Sequence, residues 1–374
     1  MKFLLIAGYS ESLINFRGPL IDALIASGQE VHAAAPELCE HAEVAAKLRS
    51  KGVQIHSVSM NRTGMNPWHD LQTLVCLSRL MRQIRPDRVL GYTIKPVIYG
   101  SLAAWLARVP QRYALVTGLG YAFAGEAGQR SVLKRIATTL YQVALHFTDK
   151  VFFQNPDDRD LFVRRGILSS AEKTVVVNGS GIDISLFQPV PLPQQPAFLL
   201  IARLLGDKGV REYVAAAKLV RQQYPQCKFR LAGWIDDAPD AIAQTELDSW
   251  IQEGVIEFLG RLKDVRPAIA ESSVYVLPSY REGTPRTVLE AMAMARAVIT
   301  TDAPGCRETV VSGVNGLLVP VKSAEELAQA MLLMLHDDEK VRTMGLHGRQ
   351  IAEEKYDVQK VNQHMLVTMG IINK

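Results

Sequence analysis

The chain has 374 residues, of which 48% are hydrophobic and 21% charged, and its formal net charge is +4. At about 150 residues per domain, this length predicts two or three domains with sizeable cores. The small positive excess and the lack of an aromatic-basic recognition motif argue against a nucleic-acid partner. No stretch approaches the roughly 18 consecutive apolar residues of a membrane span.

The charge is unevenly distributed along the chain. Residues 1–190 carry 21 Lys plus Arg against 15 Asp plus Glu, whereas residues 191–374 carry 21 against 23. The N-terminal half is therefore expected to face an anionic partner. The four cysteines, at positions 39, 76, 227 and 306, show no pairing pattern, which predicts thiols in a reducing, cytoplasmic compartment.

The first elements predict a strand followed by a loop. Residues 1–8 contain an apolar run too short for a signal peptide, so we interpret it as the first strand of a sheet. A loop over residues 8–20 then leads into a helix around residues 21–26. Its glycine spacing departs from a dinucleotide fingerprint, so no nicotinamide site is predicted.

Two basic amphipathic helices follow. In the first, four arginines come after four apolar residues: Arg79, Arg82, Arg85 and Arg88 after Trp68, Leu71, Leu74 and Val75. The second spans residues 130–147, with Lys134 and Arg135 near its start. Such a surface suits anionic lipid. The alternative is that the apolar stripes face the core and the arginines face water.

Two strand ends carry polar or glycine-rich residues, as at the rim where open α/β sheets bind ligands. Residues 91–96 follow one strand, and Pro96 predicts an extended backbone at Lys95. Residues 115–123 follow the next predicted strand, and residues 118–128 hold four glycines. This last segment is predicted to be a mobile loop that covers an acceptor or touches a bilayer.

A proline-rich segment predicts the domain boundary. Residues 188–196 contain four prolines, which continue neither a helix nor a strand. We therefore predict an N-terminal domain over residues 1–190 and a C-terminal domain over residues 191–355. Strands alternate with helical patterns almost throughout, which predicts two doubly wound α/β domains.

A glycine-bearing turn opens the second domain. The buried-strand pattern of residues 198–202 runs into a turn flanked by Arg203 and Lys208, before a helix that begins near Val210. Two cations at such a turn suit a diphosphate and neutralise the charge that builds on it when it departs. The alternative is a solvated basic turn.

The last motif contains two glutamates, Glu282 and Glu290, that are separated by seven residues. A short β-rich run over residues 274–278 precedes Glu282, and Thr284 and Pro285 are predicted as the N-cap and first residue of a helix that carries Glu290. Amides at this helix start suit an anion, and the carboxylates suit sugar hydroxyls.

This run resembles the EX7E signature of retaining GT-B glycosyltransferases, in particular glycosyltransferase family 4. The resemblance implies two Rossmann-like domains that face each other across a cleft. It implies that Glu290 binds the nucleotide ribose, that Glu282 contacts the donor sugar, and that Arg203 and Lys208 stabilise the departing diphosphate. The terminal segment, residues 356–374, is expected to cross back to the first domain.

Further site residues follow from the same resemblance. Main chain near Arg261 and Leu262 is expected to contact the base, with strand-end Gly233 nearby. The family's donor and acceptor contacts fall on the following residues: Thr284, Arg286 and Thr287 on the donor side, and Asn15, Phe16, Arg17, Lys95, Gly118 and Gly120 on the acceptor or phosphate side.

The order of segments is similar to a narrower group, the PglA-type α-1,3-N-acetylgalactosaminyltransferases. The supporting residues include Gly179 to Asp183 and Phe187. This implies a UDP-GalNAc donor, an undecaprenyl diphosphate-linked sugar acceptor, and a role in O-antigen or glycoprotein glycan assembly at the inner face of the cell membrane.

The chain departs from the family at two places. Pro285 stands where many members have glycine, so amides of Thr284, Arg286 or Thr287 must replace its contact. Residues 117–118 lack the histidine of many members, so no histidine base is assigned.

No metal is expected. The acidic pairs at 236–237 and 157–158 are interpreted as solvated loop or helix-cap acids rather than as metal ligands.

Three alternatives stay open. A glycogen- or sucrose-type transferase with a soluble acceptor fits the donor half equally well. A UDP-sugar epimerase shares the architecture but is expected to lack the Glu282 and Glu290 pair. A catalytically silent binding protein would not need all four charged residues.

Overall fold

The computed structural model describes residues 1–61, 66–118, 129–168, 170–236 and 238–373, and within residues 129–134 it describes the backbone alone. The chain divides into two compact units. Unit 1 comprises Met1–Ser180 and Val361–Lys374, and unit 2 comprises Gly181–Lys360.

Unit 1 is built on a parallel sheet in the order β3-β2-β1-β4-β5-β6-β7. Its strands are β1 (Lys2–Ile6), β2 (Glu30–Ala35), β3 (Gln54–Ser57), β4 (Arg88–Tyr92), β5 (Gln111–Val116), β6 (Lys150–Phe153) and β7 (Thr174–Val176). Its helices are α1 (Glu11–Asn15), α2 (Gly18–Ala26), α3 (Ala42–Ser50), α4 (Pro67–Ile84), α5 (Ser101–Leu106), α6 (Gln129–His146) and α7 (Pro156–Arg164), with a π-helical turn at Pro96–Gly100 and a 3-10 turn at Ala171–Lys173.

Unit 2 repeats this plan with a parallel sheet in the order β10-β9-β8-β11-β12-β13. Its strands are β8 (Ala197–Ile201), β9 (Lys228–Ala232), β10 (Glu257–Gly260), β11 (Val274–Leu277), β12 (Ala297–Thr301) and β13 (Gly316–Val319). Its helices are α8 (Val210–Gln223), α9 (Gln244–Gln252), α10 (Arg266–Ala270), α11 (Arg286–Ala293), α12 (Ala324–Leu335) and α13 (Asp338–Ile351), with 3-10 turns at Gly206–Lys208 and Arg307–Thr309 and a π-helical turn at Ala352–Tyr356; α14 (Val358–Thr368) leads back to unit 1.

Each sheet is buried on both faces, which explains the continuous apolar runs of its strands. In β1, Phe3 and Leu5 belong to one core cluster, and Leu4 and Ile6 belong to the other. The strands of unit 2 alternate between two clusters in the same way. The two doubly wound α/β domains predicted from the sequence are confirmed.

The strand order reverses at one point in each sheet, which we call its switch point. In unit 1 this point lies between β1 and β4, and in unit 2 between β8 and β11. Open α/β sheets bind ligands beyond the carboxyl ends of the strands at such a point. In unit 2 those ends lead into the segments of Arg203, Lys208 and Glu282.

The boundary between the units lies after Ser180 and not after residue 190. Ile182 and Phe187 are buried in a core cluster of unit 2. Two backbone hydrogen bonds join Ile182 to the segment that ends unit 2. The Ile182 amide donates to the Tyr356 carbonyl at 2.8 Å, and the Val358 amide donates to the Ile182 carbonyl at 3.0 Å. The residues before the prolines therefore pack with the second sheet, although the prolines mark the visible break in the sequence.

The C-terminal segment contributes to the core of unit 1. Met365, Leu366 and Met369 are buried in the cluster that contains Phe3 and Leu5. The Tyr113 hydroxyl donates to the Met369 carbonyl at 2.9 Å.

Two local predictions in unit 1 are wrong. The segment of residues 8–20 is mostly helical, since α1 and the start of α2 lie within it. Lys95 is in the right-handed helical conformation despite Pro96, with φ −67° and ψ −44°. The Val97 amide donates to the Thr93 carbonyl at 3.0 Å, and this turn outweighs the usual extended preference before proline.

Two further findings concern the whole chain. All four cysteines are free thiols, and Cys227 and Cys306 are buried. Across the described ranges, no helix has both the length and the apolar character needed to cross a membrane.

Candidate active site

The first part of the candidate site is the turn between β8 and α8. Gly209 ends this turn with φ +70°, in the left-handed region, and a Cβ there would lie 2.1 Å from the Pro278 carbonyl oxygen. Only glycine permits such a close approach of two backbones. The turn that carries Arg203 and Lys208 is thus packed directly against the carboxyl end of β11.

The second part is the loop after β11 that carries Glu282. The Tyr280 amide donates to the Asp207 carbonyl at 2.8 Å, and the Glu282 amide donates to the Pro304 carbonyl at 2.9 Å. A Cβ on Gly305, whose φ is +83°, would lie 2.1 Å from the Glu282 carbonyl oxygen. Backbone contacts on both sides therefore fix the position of Glu282.

Lys208 and Glu282 form an ion pair at the strand ends. The Lys208 Nζ lies 2.5 Å from Glu282 Oε1, and both side chains are largely buried. Burial by itself lowers the pKa of Lys208, but Glu282 and, to a smaller extent, Asp207 together more than offset this effect, so the pKa lies above its ordinary value. The lysine is therefore held as a cation beside a carboxylate.

Arg203 forms a second ion pair, with a residue that the sequence analysis misinterpreted. Arg203 Nη1 lies 2.9 Å from Asp236 Oδ2, so Asp236 is not a solvated loop acid. A bridge between Leu204 and Ile235 brings the two segments together. Asp237, the next residue, lies outside the described residues. Sequence reasoning had no local signal for a pairing across 33 positions.

Glu290 lies on the buried side of α11. The helix begins one residue later than predicted, with Pro285 as its N-cap in extended conformation and Arg286 as its first residue. Burial raises the pKa of Glu290, and the Arg286 guanidinium, whose Nε lies 2.9 Å from Glu290 Oε1, limits the rise. The Thr287 hydroxyl lies 2.6 Å from the buried Tyr275 hydroxyl.

Burial raises the pKa of Tyr275, and Glu290 and Glu282 both contribute to the rise. The two predicted glutamates therefore act electrostatically on one buried hydroxyl. Arg203, Lys208 and Glu282 similarly all act on Asp207, whose pKa is raised mainly by burial. The structure thus brings the four charged residues predicted from the motif to one edge of the unit 2 sheet.

The predicted base-binding region lies at the ends of β9 and β10. The Gly233 amide donates to the Gly260 carbonyl at 2.9 Å. The Arg261 guanidinium lies 4.7 Å from the ring centroid of Trp234, an exposed aromatic residue that the sequence analysis did not select. Leu262 packs at the margin of the core. An exposed aromatic ring directly after a strand glycine was the available signal for Trp234.

The predicted acceptor-side residues lie at the carboxyl edge of the unit 1 sheet. Asn15 ends α1, Phe16 is exposed, and Arg17 is buried with its guanidinium 5.1 Å from the Tyr92 ring centroid. Lys95 Nζ lies 2.8 Å from Asp70 Oδ1 in a mostly buried pair. Gly118 follows β5 with φ +131°, whereas Gly120 lies outside the described residues.

Two family models match the chain, one in each half. Residues 17–179 match a model described as glycosyl transferase 4-like domain, and residues 195–337 match one described as glycosyl transferases group 1. Together with the parallel sheets and the charged residues at their switch point, these matches identify a glycosyltransferase.

Known proteins refine this identification. The N,N'-diacetylbacillosaminyl-diphospho-undecaprenol alpha-1,3-N-acetylgalactosaminyltransferase of Campylobacter jejuni is 29% identical over 369 residues, which are 95% of this chain and 94% of the relative. The UDP-Gal:alpha-D-GlcNAc-diphosphoundecaprenol alpha-1,3-galactosyltransferase of Escherichia coli is 24% identical over 305 residues, or 78% of this chain and 77% of the relative. The crystal structure of Anabaena HepE in complex with UDP has a TM-score of 0.79 and 22% identity, and the match covers 100% of both chains.

The protein is therefore a GT-B glycosyltransferase of the family 4 type, as the motif resemblance implied. It is similar along nearly its whole length to the Campylobacter transferase.

Proposed function

We propose that this enzyme transfers N-acetylgalactosamine from UDP-GalNAc, with retention of the α configuration, to a sugar carried on undecaprenyl diphosphate. The observation that carries the proposal is the match of 95% of the chain to a transferase named for this donor sugar and this class of acceptor. The paired cations and carboxylates at the unit 2 switch point support a nucleotide diphosphate sugar as donor.

In the proposed mechanism, Arg203 and Lys208 bind the donor diphosphate. In the structure Arg203 lies beside Asp236 and Lys208 beside Glu282, so each cation has a carboxylate that the diphosphate oxygens would replace or share. Their charge stabilises the diphosphate as the bond to the sugar breaks. Glu290 binds the ribose hydroxyls, and Glu282 binds and orients the sugar.

The new bond forms on the face from which UDP departs. The acceptor oxygen attaches to the anomeric carbon, the bond between that carbon and the diphosphate oxygen breaks, and the acceptor proton passes to the departing oxygen. We propose that no metal is needed, because two cations and the amides at the start of α11 supply the positive charge. Gly233, Trp234 and Arg261 would contact the base.

In the proposed complex, the diphosphate and sugar of the acceptor contact Lys95, Arg17, Phe16 and Asn15. These residues lie at the switch point of the unit 1 sheet or next to it. A substrate anchored by a polyprenyl chain would hold the enzyme at the inner face of the cell membrane.

A UDP-release assay tests the proposed substrates. Purified protein is given UDP-GalNAc, UDP-GlcNAc, UDP-Gal or UDP-Glc in EDTA, each with and without a short-chain polyprenyl diphosphate HexNAc. We expect release that requires both UDP-GalNAc and the acceptor. Release from another donor, release onto a soluble sugar, or a requirement for added metal would each contradict one named part of the proposal.

A further inference from the structure

Helix α4 exposes an apolar stripe on its outer side. Trp68, Leu71 and Val75 are 74%, 49% and 39% exposed. Their spacing of three and four residues places them on one side of the helix. The opposite side, with Leu77 and Met81, is buried in the core of unit 1. An exposed stripe of large apolar residues that includes tryptophan is a mark of an interaction surface.

The stripe forms one wall of an open groove of about 660 Å³. The other wall is the segment Ser57 to Ser59, at the end of β3. Arg79 also lines this groove, one turn beyond Val75. The groove is therefore apolar along most of its length and cationic toward one end.

Arginines continue this surface beyond the groove. A second groove is lined by Arg82, Arg85 and Arg108, which are all exposed. Arg82 lies in the last turn of α4, and Arg85 follows that turn. Trp105 and Leu106 on the adjacent α5 are also exposed. Arg88, which the sequence analysis grouped with these arginines, is buried and donates to Gln111 and Gln29 instead.

Between residues 67 and 108, all of which the structure describes, two acids accompany the arginines: Asp70 is buried, and Asp87 lines the second groove beside Arg82, Arg85 and Arg108. Asp70 pairs with Lys95 at 2.8 Å, and Asp87 accepts from the Lys2 backbone amide at 2.7 Å. A partner that offers anionic phosphates beside apolar chains fits both features at once. The headgroup region of an anionic lipid bilayer has this chemistry.

The surface begins next to the proposed acceptor site. Asp70 lies between Trp68 and Leu71 in the sequence, and its carboxylate contacts Lys95. The apolar stripe therefore starts within one helical turn of the residue that holds the lysine assigned to the acceptor diphosphate.

We propose that the outer faces of α4 and α5 bind the surface of an anionic bilayer. Trp68, Leu71 and Val75 enter the headgroup region, and Arg79, Arg82 and Arg85 contact lipid phosphates. The link to a polyprenyl-linked acceptor rests on the proposed function, but the binding surface itself is defined by exposure and charge alone.

Vesicle co-sedimentation of the full chain tests this surface without donor or acceptor. Binding is compared on vesicles of phosphatidylcholine and of phosphatidylcholine mixed with phosphatidylglycerol. We expect binding to the anionic vesicles that weakens with salt. Arg79→Gln, Arg82→Gln and Arg85→Gln should each reduce partitioning roughly fivefold, the effect of removing one cation near a charged membrane.

The apolar contribution has its own variant and control. The triple variant Trp68→Ser, Leu71→Ser, Val75→Ser should lose about tenfold or more of its binding. The control variant Leu333→Ser, Leu346→Ser changes two residues of unit 2 that are 58% and 56% exposed, and it should bind as the wild type does. All these positions are exposed, so far-UV circular dichroism should show an unchanged fold.

Several results would overturn the proposal: no binding of the wild type to anionic vesicles, equal binding of the triple variant and the wild type, or an equal loss in the control. Retention by a nucleic-acid or heparin matrix with no vesicle binding would also overturn it. Vesicle co-sedimentation needs no substrate, so its result can be interpreted even if the transferase assay shows no activity. Conversely, variants that lose vesicle binding should still release UDP with a short-chain acceptor.

Discussion

At the residue scale, the two ion pairs at the unit 2 switch point explain why cations and carboxylates occur together in this sequence. The pairs of Lys208 with Glu282 and of Arg203 with Asp236 each bring together charges that are buried or half-buried. Each pair also keeps a cation where a diphosphate would need it. Binding of the donor would then place the diphosphate oxygens beside these two cations, in place of or together with the carboxylates.

The role of Glu282 can be tested against a matched glutamate. Glu282→Gln should reduce kcat/KM for UDP-sugar turnover by about 100-fold or more, because a contact that positions the sugar in the transition state is lost. Glu253→Gln is the control, since Glu253 also pairs with a lysine, Lys218, at 2.6 Å on an exposed surface. Turnover of the Glu282 variant within a few-fold of that of the control would remove Glu282 from the proposed mechanism.

A variant of Asp236 tests whether its carboxylate competes with the donor diphosphate for Arg203. In Asp236→Asn the carboxylate beside Arg203 is replaced by a neutral amide, so an incoming diphosphate meets less competition and less repulsion. We expect the Kd for UDP, measured by calorimetry, to fall roughly three- to tenfold. Asp248→Asn, at a half-buried position on α9 where the carboxylate accepts from the Gln244 side chain, should leave the Kd unchanged. Weaker UDP binding by the Asp236 variant would instead mean that the carboxylate is needed to hold Arg203 in place.

At the element scale, strand ends are positioned by close backbone contacts. Gly209 and Gly254 both have φ near +70°, but they differ in their surroundings. A Cβ on Gly209 would lie 2.1 Å from the Pro278 carbonyl oxygen, whereas a Cβ on Gly254 would meet nothing within 4 Å. Comparing the two glycines therefore distinguishes the strain of a left-handed backbone, which both would show, from steric overlap, which only Gly209 would show.

Alanine substitution at these two glycines measures the difference. Gly254→Ala should lower the free energy of unfolding by about 1 kcal/mol, the cost of a left-handed alanine. Gly209→Ala should cost about 3 kcal/mol or more and weaken UDP binding, because the β8 turn must move away from β11. Chemical denaturation and UDP titration of both variants give these values. Equal costs would show that the β8 turn is not constrained by β11.

Strands β2 and β3 carry a histidine pair that should make stability depend on pH. His32 Nδ1 lies 3.0 Å from His56 Nε2, and burial is the main cause that lowers the pKa of both rings. Glu30, which raises the pKa of His32, and Lys2, which lowers it, are the other charged groups that act on the pair. The unfolded chain therefore binds protons more readily than the folded one as the pH falls below about 6.5. The stability present above that pH is lost as the pH falls.

Thermal unfolding at several pH values tests the histidine pair. The melting temperature should fall between about pH 7.5 and 5.5, and it should fall less in His56→Gln, which removes one titrating ring. His364→Gln, at an exposed position on α14, is the control. The same pH dependence in His56→Gln as in the wild type would rule out the pair as its source.

At the scale of the whole molecule, the predictions that held depended on local signals. Apolar runs that end in glycine-bearing turns located β8 and β11, so Arg203, Lys208 and Glu282 were placed correctly at strand ends. The predictions that failed depended on distant contacts. The unit boundary is set by bonds from Ile182 to the segment near Tyr356, and the partner of Arg203 is 33 positions away.

Two predictions based on the preferences of proline and its neighbours also failed. Lys95 adopts a helical backbone before proline because a hydrogen-bonded turn from Thr93 to Val97 encloses it. Pro285 caps α11 in extended conformation, so the helix starts at Arg286 and not at the proline. Exposure of Trp68, Leu71 and Val75 likewise depends on which side of α4 meets the sheet, and the amphipathic pattern alone allowed either answer.

The proposed reaction is a retaining transfer of N-acetylgalactosamine to a polyprenyl diphosphate-linked sugar. Its most direct test is the isolation of the product made from UDP-GalNAc and a short-chain polyprenyl diphosphate HexNAc, followed by mass spectrometry and proton NMR of the new anomeric centre. We expect one added N-acetylhexosamine in α linkage. A β linkage would contradict the retaining mechanism, and an unmodified acceptor would contradict the proposed substrates.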